Sequence, residues 1–295
     1  MAPILLKIPL TFPYFGHVEL PIYGFGIMLV LAFIFAPWLA WWRARREGLD
    51  GEVILDMGFW IFVAGLVGAR ALYCVEYWGT DIHSLWEAFQ YWRGGIVYYG
   101  GIIGGIIGFF AYRSLHPFPM RPFMDVIAPS IALGTFFGRI GCFLNGCCYG
   151  DRCQVPWALS FPAGSPAWMN QVKAGLISQG ATASLSVHPT QLYSAIDSLI
   201  LLILLSAYYP LRRRDGEVMG MLMVAYPITR FLIEYLRNDE PAFVAGLTIS
   251  QTISVVLLLV AVLYWAWLGK LPRRPQSPAI SDSPSLAGEP VNAGA

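Results

Sequence analysis

The sequence predicts an all-α, polytopic membrane protein, a bundle of seven transmembrane helices with the N-terminus outside and the C-terminus cytoplasmic. Three observations predict it. Hydrophobic residues make up 57% of the 295 residues, charged residues 13%, and the mean hydropathy is +0.57, against roughly 45–50% apolar and 25% charged in ordinary globular domains. Seven stretches approach the roughly 20 apolar residues that a spanning helix needs. The basic residues also divide unevenly between the two sides that those stretches define. The same figures exclude disordered, collagen-like and nucleic-acid-binding proteins, and five cysteines do not make a disulfide-dense scaffold.

In chain order, the spans are read at 19–42, 53–77, 95–112, 122–144, 189–211, 217–236 and 248–269. Arg43, Arg45 and Arg46 follow the first. Arg113 and Arg121 lie between the third and fourth, Arg212, Arg213 and Arg214 close the fifth, and Lys270, Arg273 and Arg274 close the seventh. If the spans alternate, these residues share one side, while Lys7, Arg93, Arg152, Lys173 and Arg237 share the other. The richer side is cytoplasmic. The start, with its prolines, His17 and Glu19, is no clean signal peptide, so the first span is expected to serve as its own insertion signal. Residues 1–271 form the membrane domain, and the Pro/Ser/Gly/Ala-rich stretch 272–295 reads as a disordered tail. An external loop at about 145–188 carries Trp157, Phe161 and Trp168 and is expected to lie on the bilayer surface.

Glycines concentrate in two spans: Gly100, Gly101, Gly104, Gly105 and Gly108 in the third, and Gly134, Gly138 and Gly141 in the fourth. Small residues at such spacing let helix backbones approach closely. No internal repeat of the kind many transporters carry is apparent.

Arginine at mid-membrane costs roughly 2.5–3.5 kcal/mol on insertion scales, so each one requires a reason. Arg139 lies about 7–8 Å below the outer surface, taking about 1.5 Å per residue. Arg230, Glu234 and Arg237 share a helical face. Arg70 lies near the outer end of the second span. Tyr23, Tyr98 and Tyr99 begin the first and third spans, and His188, Gln191 and Tyr193 begin the fifth. Six spans therefore bring polar groups to one depth. Arginines that merely paired with Glu234, Glu76 and carbonyls would be expected in both leaflets. Gathered at headgroup depth they suit a phosphate, because the guanidinium fork matches its oxygens and keeps its charge. The expected ligand is a phospholipid entering from the outer leaflet. Cys142, Cys147, Cys148 and Cys153 cluster at the outer end of the fourth span. Their spacing lacks the usual C-x2-C pairs of zinc sites, and disulfides, free thiols and a metal or catalytic role all remain open. Cys74 reads as a small buried apolar residue.

Four blocks, GGIVYYGG (94–101), GRIGCFLNGCCYG (138–150), HPTQLY (188–193) and FLIEYLR (231–237), together with Tyr23-Gly24 and Gly68-Ala69-Arg70, resemble the prolipoprotein diacylglyceryl transferase family. The resemblance covers about residues 20–270. It implies a seven-span enzyme of the bacterial inner membrane whose active site faces the periplasm. Such enzymes transfer the diacylglyceryl group of phosphatidylglycerol to the lipobox cysteine of a preprolipoprotein, forming a thioether and releasing glycerol 1-phosphate. Its partners are phosphatidylglycerol and the signal peptide with its lipobox. It implies no cofactor, no metal and no nucleic acid. By position, Arg139 matches the family arginine on the lipid phosphate and Arg237 the second essential arginine. Tyr23 and Asn145 match positions associated with activity. Arg70, Glu234, His188, Gln191 and Tyr193 are supporting residues.

The chain departs from the family in places. Tyr99 stands where histidine, a proposed base for the thiol, is frequent. Cys142 and Cys147 stand where asparagine and glutamate are frequent, and Ser194 follows HPTQLY where glutamate is common. A phenol with its ordinary pKa near 10 is a poor base, so the arginine field is expected to help ionise the substrate thiol while Tyr99 orients it. The main alternative is a transporter of an anionic lipid or small anion using the same arginines. A non-catalytic scaffold would leave the cost of Arg70, Arg139 and Arg230 unexplained.

Overall fold

The structure is a computed structural model that describes residues 4–12, 16–79, 82–90, 94–95, 97–237 and 246–274, with the backbone alone for 4–22, 85 and 98. The tail from 275 onward, Arg93 and the side chains of Lys7, His17, Glu19 and Tyr98 lie outside the described residues.

The chain opens with an antiparallel hairpin, β1 (Ile4–Phe12) and β2 (Gly16–Tyr23), in which Lys7 faces Pro21 and Phe12 faces Gly16. This hairpin adds to the expected all-helical fold and moves the start of the first helix from 19 to Gly24. The helices follow: α1 (Gly24–Arg46), α2 (Glu52–Glu76), α3 (Leu85–Ala88), α4 (Tyr98–Leu115), α5 (Met120–Asn145), α6 (Pro166–Lys173), α7 (Thr190–Tyr208), α8 (Glu217–Glu234) and α9 (Ile249–Leu268). Gly24–Arg46, Glu52–Glu76, Met120–Asn145, Thr190–Leu211 and Ile249–Leu268 are long and apolar enough to cross a membrane. Their outer faces are apolar: Val30, Phe59, Ile203, Val262 and Leu263 are all exposed. A water-soluble protein rarely leaves so continuous an apolar surface uncovered. The chain is a polytopic membrane protein.

Helices α2 and α4 meet backbone to backbone. A Cβ on Gly68 would stand 2.4 Å from the Gly100 carbonyl oxygen, and one on Gly104 would stand 2.2 Å from that of Ala64. The glycines are therefore required at this crossing, as their spacing predicts. In α5 the pattern holds only in part. Gly141 abuts Phe25 and Met28 of α1, whereas a Cβ on Gly138 would meet nothing within 4 Å. Gly104→Val should drive α2 and α4 apart, because the obstacle is backbone and cannot rotate away. Overpacking typically costs about 1–3 kcal/mol, and a rigid obstacle lies at the upper end of that range. Thermal melting of the detergent-solubilised protein should show Gly104→Val far below wild type. Gly58→Ala, whose Cβ meets nothing within 4 Å, should melt close to wild type; equal melting of the two would discount the crossing.

The main core (Ala40, Ala44, Ile54, Met57, Phe123, Val126, Leu205, Val218) lies toward the arginine-rich end of the bundle. There a buried ionic network ties the helices. Asp125 accepts hydrogen bonds from the backbone N–H of Gly216, Val218 and Met219 at 2.7–3.1 Å, capping α8 where the helix dipole is positive. Arg212 lies 3.3 Å from Asp125 and 2.7 Å from Glu47, and Arg274 lies 2.8 Å from Glu47. Burial alone would raise the Glu47 carboxyl pKa, but Arg274 and Arg212 together hold it below the ordinary value.

The expected surface loop is a small folded unit. Phe161, Ala167 and Val187 form its core, with Phe143 and Tyr149 against them. Ser165 caps α6 by accepting from the Trp168 N–H, and the Trp168 indole donates to the Ala181 carbonyl at 2.8 Å. Phe161 is thus turned inward and is no bilayer anchor, while Trp157 is exposed.

Candidate functional site

Four helix ends converge opposite the arginine-rich core. Helix α5 terminates at Asn145 because Gly146 takes a left-handed φ of 73°. The Cys147 N–H then bonds back to the Cys142 carbonyl at 3.2 Å and the Gly146 N–H to that of Phe143 at 3.2 Å, a helix stop of Schellman type. The chain next runs past α7 and α8. The Gly150 N–H donates to the His188 carbonyl at 2.9 Å and the Asp151 N–H to the Leu236 carbonyl at 2.8 Å. A Cβ on Gly150 would lie 2.4 Å from the Leu236 oxygen. Three of the four sequence blocks therefore meet at one glycine.

Helix α7 holds the turn from its first residues. Thr190 Oγ1 donates to the Cys148 carbonyl and Gln191 Nε2 to the Cys147 carbonyl, both at 2.8 Å. His188 Nδ1 lies 3.2 Å from the Tyr193 hydroxyl, which also accepts from the Trp157 indole at 2.6 Å. His188 and Tyr193 thus connect the folded loop to α7.

The arginines fall into three situations. Arg70 is buried, and all of its donors are engaged. Nε donates to Ala88 (2.8 Å), Nη1 to Gly94 (2.5 Å) and Gly95 (2.8 Å), and Nη2 to Glu87 (2.7 Å) and Gln90 (3.3 Å), all to carbonyl oxygens. It holds the connection between α2 and α4. Arg230 pairs with Glu234 and donates to Ser250 Oγ at 2.9 Å, while Arg237 lies 4.0 Å from the same carboxylate. Glu234 is 1% exposed and also accepts from Thr248 Oγ1 at 3.3 Å, at the capped start of α9. Arg139 differs from both. It is half-buried in α5, three residues before Cys142, and makes no hydrogen bond or ion pair with any described residue.

Two of the remaining candidates stand at helix starts. Tyr23 ends β2 at the N-cap of α1 and is exposed, and Tyr99 is half-exposed in the first turn of α4. Asn145 hydrogen-bonds the Cys147 thiol. Sulfur atoms of Cys142, Cys147 and Cys148 lie within 4.8 Å of one another, and all five cysteines are free thiols. Hydrogen bonds from Cys142 and Cys148 hold the Cys147 thiol pKa well below its ordinary value, and the charge of Arg237 reaches Cys148. An apolar cavity of about 310 Å³ opens among α1, α2 and α5, lined by residues such as Leu29, Phe33, Met57 and Ile131.

A profile of the prolipoprotein diacylglyceryl transferases matches residues 13–267. The chain belongs to that family. It is 32% identical over 257 residues to a phosphatidylglycerol–prolipoprotein diacylglyceryl transferase of Clostridium tetani, covering 86% of this chain and 95% of the relative. A second transferase of that name, from Clostridium perfringens, is 32% identical over 83% of this chain and 91% of its own length. One from Vibrio cholerae is 30% identical over 82% and 86%. Set on this transferase fold, the resemblance read from four short blocks extends to nearly the whole chain.

Two features escaped the sequence reading. Thr248 and Ser250 serve the site through hydroxyls that carry no distinctive sequence signal. Asp125, at the far end, could have been flagged as an acid inside a span whose topology brings it to the Arg212–Arg214 run.

Proposed function

We propose that this chain transfers the diacylglyceryl group of phosphatidylglycerol to the lipobox cysteine of preprolipoproteins. The observation that carries the reading is Arg139. An arginine inside a spanning helix with no partner among the described residues is costly, and a lipid phosphate at that depth supplies the partner. Arg237, anchored by Glu234, is the second phosphate ligand, and Asn145 completes the rim. The cavity among α1, α2 and α5 suits an acyl chain. The sulfur of the lipobox cysteine attacks the glycerol carbon in line as its bond to phosphate oxygen breaks. Arginines fixed on that phosphate stabilise it more as its charge grows. Helices α4 and α8, at about 1.5 Å per residue, are close to bilayer thickness and complete a seven-span bundle. Its arginine-rich end, where Arg46 stacks on Trp42 at 3.8 Å, faces the cytoplasm, and the site faces the periplasm of a bacterial inner membrane. Nothing in the comparisons supports the transporter reading.

The test is direct. Purified protein, phosphatidylglycerol and a lipobox peptide should give a peptide heavier by one diacylglyceryl group, and a peptide with serine in place of cysteine should gain nothing. Absence of that product with folded protein removes the reading. Within this mechanism Tyr99 positions the substrate, because a phenol donates hydrogen bonds well and accepts protons poorly. Tyr99→Phe should slow turnover roughly tenfold to a hundredfold, less than the upper range of about 10⁴ for a general base. Tyr99→His should be tolerated and carry a lower pH optimum, since imidazole titrates near neutrality. A Tyr99→Phe enzyme that binds lipid yet is inert at every pH would make the phenol the base.

A further inference from the structure

The transferase reading leaves the three thiols at the end of α5 without a task. Their geometry is unusual. Two of them are adjacent in sequence, yet both lie within 4.8 Å of the sulfur of Cys142. The backbone achieves this with two departures on either side of Cys147: Gly146 at φ 73° and Cys148 at φ 59°, the latter the one non-glycine residue with positive φ among the described residues. A left-handed conformation at a side chain with no local need for it marks a position that its surroundings force. Those surroundings are Thr190 and Gln191, which clamp the Cys148 and Cys147 carbonyls from α7. Gln191 is fully buried, and its Oε1 has no hydrogen-bond partner among the described residues. An unsatisfied buried acceptor on the same amide that holds the Cys147 carbonyl points to a missing donor at this turn, such as a water.

We propose that Cys142, Cys147 and Cys148 form a three-thiolate Zn²⁺ site whose fourth position takes the substrate thiol; this second part rests on the transferase reading. Metal–sulfur bonds of about 2.3 Å place tetrahedral sulfurs about 3.8 Å apart, a separation within reach of small side-chain rotations here. Three protein ligands with one open position is the arrangement of catalytic rather than structural zinc. Zinc with three thiolates carries a net single negative charge, and the charge of Arg237, which reaches Cys148, opposes it. Spacing argued against zinc in the sequence because no C-x2-C pair is present; the backbone reversal at Gly146 and Cys148 supplies the proximity that spacing alone does not.

The chemistry balances. On binding Zn²⁺ those of the three thiols that are still protonated release their protons to solvent. The substrate thiol displaces a bound water and loses its proton to solvent, because a coordinated thiol ionises at neutral pH. Its sulfur then forms the bond to carbon as the carbon–oxygen bond to phosphate breaks, and the electron pair leaves with glycerol 1-phosphate. The neutral thioether is the weaker ligand and departs. A dedicated base for the thiol is then unnecessary.

Full-length protein purified without chelator should contain one zinc per chain by elemental mass spectrometry. Cys142→Ser, Cys147→Ser and Cys148→Ser should each lose most of it, and Cys74→Ser and Cys153→Ser should keep it. Cobalt-substituted protein should show sulfur-to-metal charge-transfer absorption, and its visible bands should shift on adding a cysteine lipobox peptide but not the serine peptide. Background zinc in the wild type, zinc retained when all three cysteines are serine, or a mass two hydrogens light from a disulfide within the trio would overturn the site. A cobalt spectrum indifferent to the cysteine peptide would overturn the substrate-binding part. Stoichiometric metal and a shifted spectrum without any transfer to peptide would leave the site standing and remove the transferase reading instead.

Discussion

Arg139→Ala should lower kcat/KM for diacylglyceryl transfer by roughly a thousandfold or more while leaving the melting temperature at or above that of wild type. The two halves of this result belong together. No described residue hydrogen-bonds or pairs with Arg139, so its removal breaks no hydrogen bond or ion pair among the described residues and relieves the cost of a charge held in a spanning helix. What is lost is the contact with the phosphate. One preorganised donor to developing charge is worth about 10²–10³ in rate, and an arginine fork supplies two parallel donors. Arg139→Lys should recover little, because a point charge cannot reproduce the fork. Near-normal turnover of Arg139→Ala at saturating phosphatidylglycerol would remove the residue from the site. A fall in melting temperature matching the fall in activity would reassign it to packing.

That contrast among arginines shows where sequence reading reaches its limit. The long helices were legible because each is an apolar run of the right length ended by charge or glycine, and the α2–α4 crossing was legible because its glycines recur every fourth residue. The arginine cluster was legible as an anomaly of cost. Which arginine is committed internally was not, because commitment depends on atoms far apart in sequence. Arg70 is consumed by the carbonyls of residues 87–95, and no side-chain pattern announces a carbonyl cage. Residues 19–23, the end of the hairpin's second strand, were read into the first span because that strand runs directly into α1. The 146–188 segment hides its small core because Phe161, Ala167 and Val187 are scattered among polar residues with no period. The thiol cluster was seen as a group of residues, but its geometry depends on a left-handed cysteine that sequence does not reveal.

Glu234→Ala should be the most destabilising single change at the site. Its carboxylate is nearly inaccessible and serves Arg230, Thr248 and, at 4.0 Å, Arg237. Removing one member of a buried ion pair costs about 3–5 kcal/mol, because the remaining charge stays buried without compensation. Here the Arg230 guanidinium would lose its carboxylate in a buried place close to a second arginine, Arg237. For a domain of this size that cost corresponds to a drop of roughly 10 °C in melting temperature. Activity should fall as well, since Arg237 loses the group that holds it toward the phosphate. The pair separates these effects. In the double variant Arg230→Met/Glu234→Met, an apolar pair of similar length replaces the ion pair, and such exchanges are often close to neutral. Its melting temperature should recover most of the loss, but its turnover should not, because Arg237 still lacks its anchor. Recovery of both would show that Glu234 acts on stability alone. An unaltered melting temperature in Glu234→Ala would mean that the two arginines find other partners, and the buried triad would then not organise this end of the bundle.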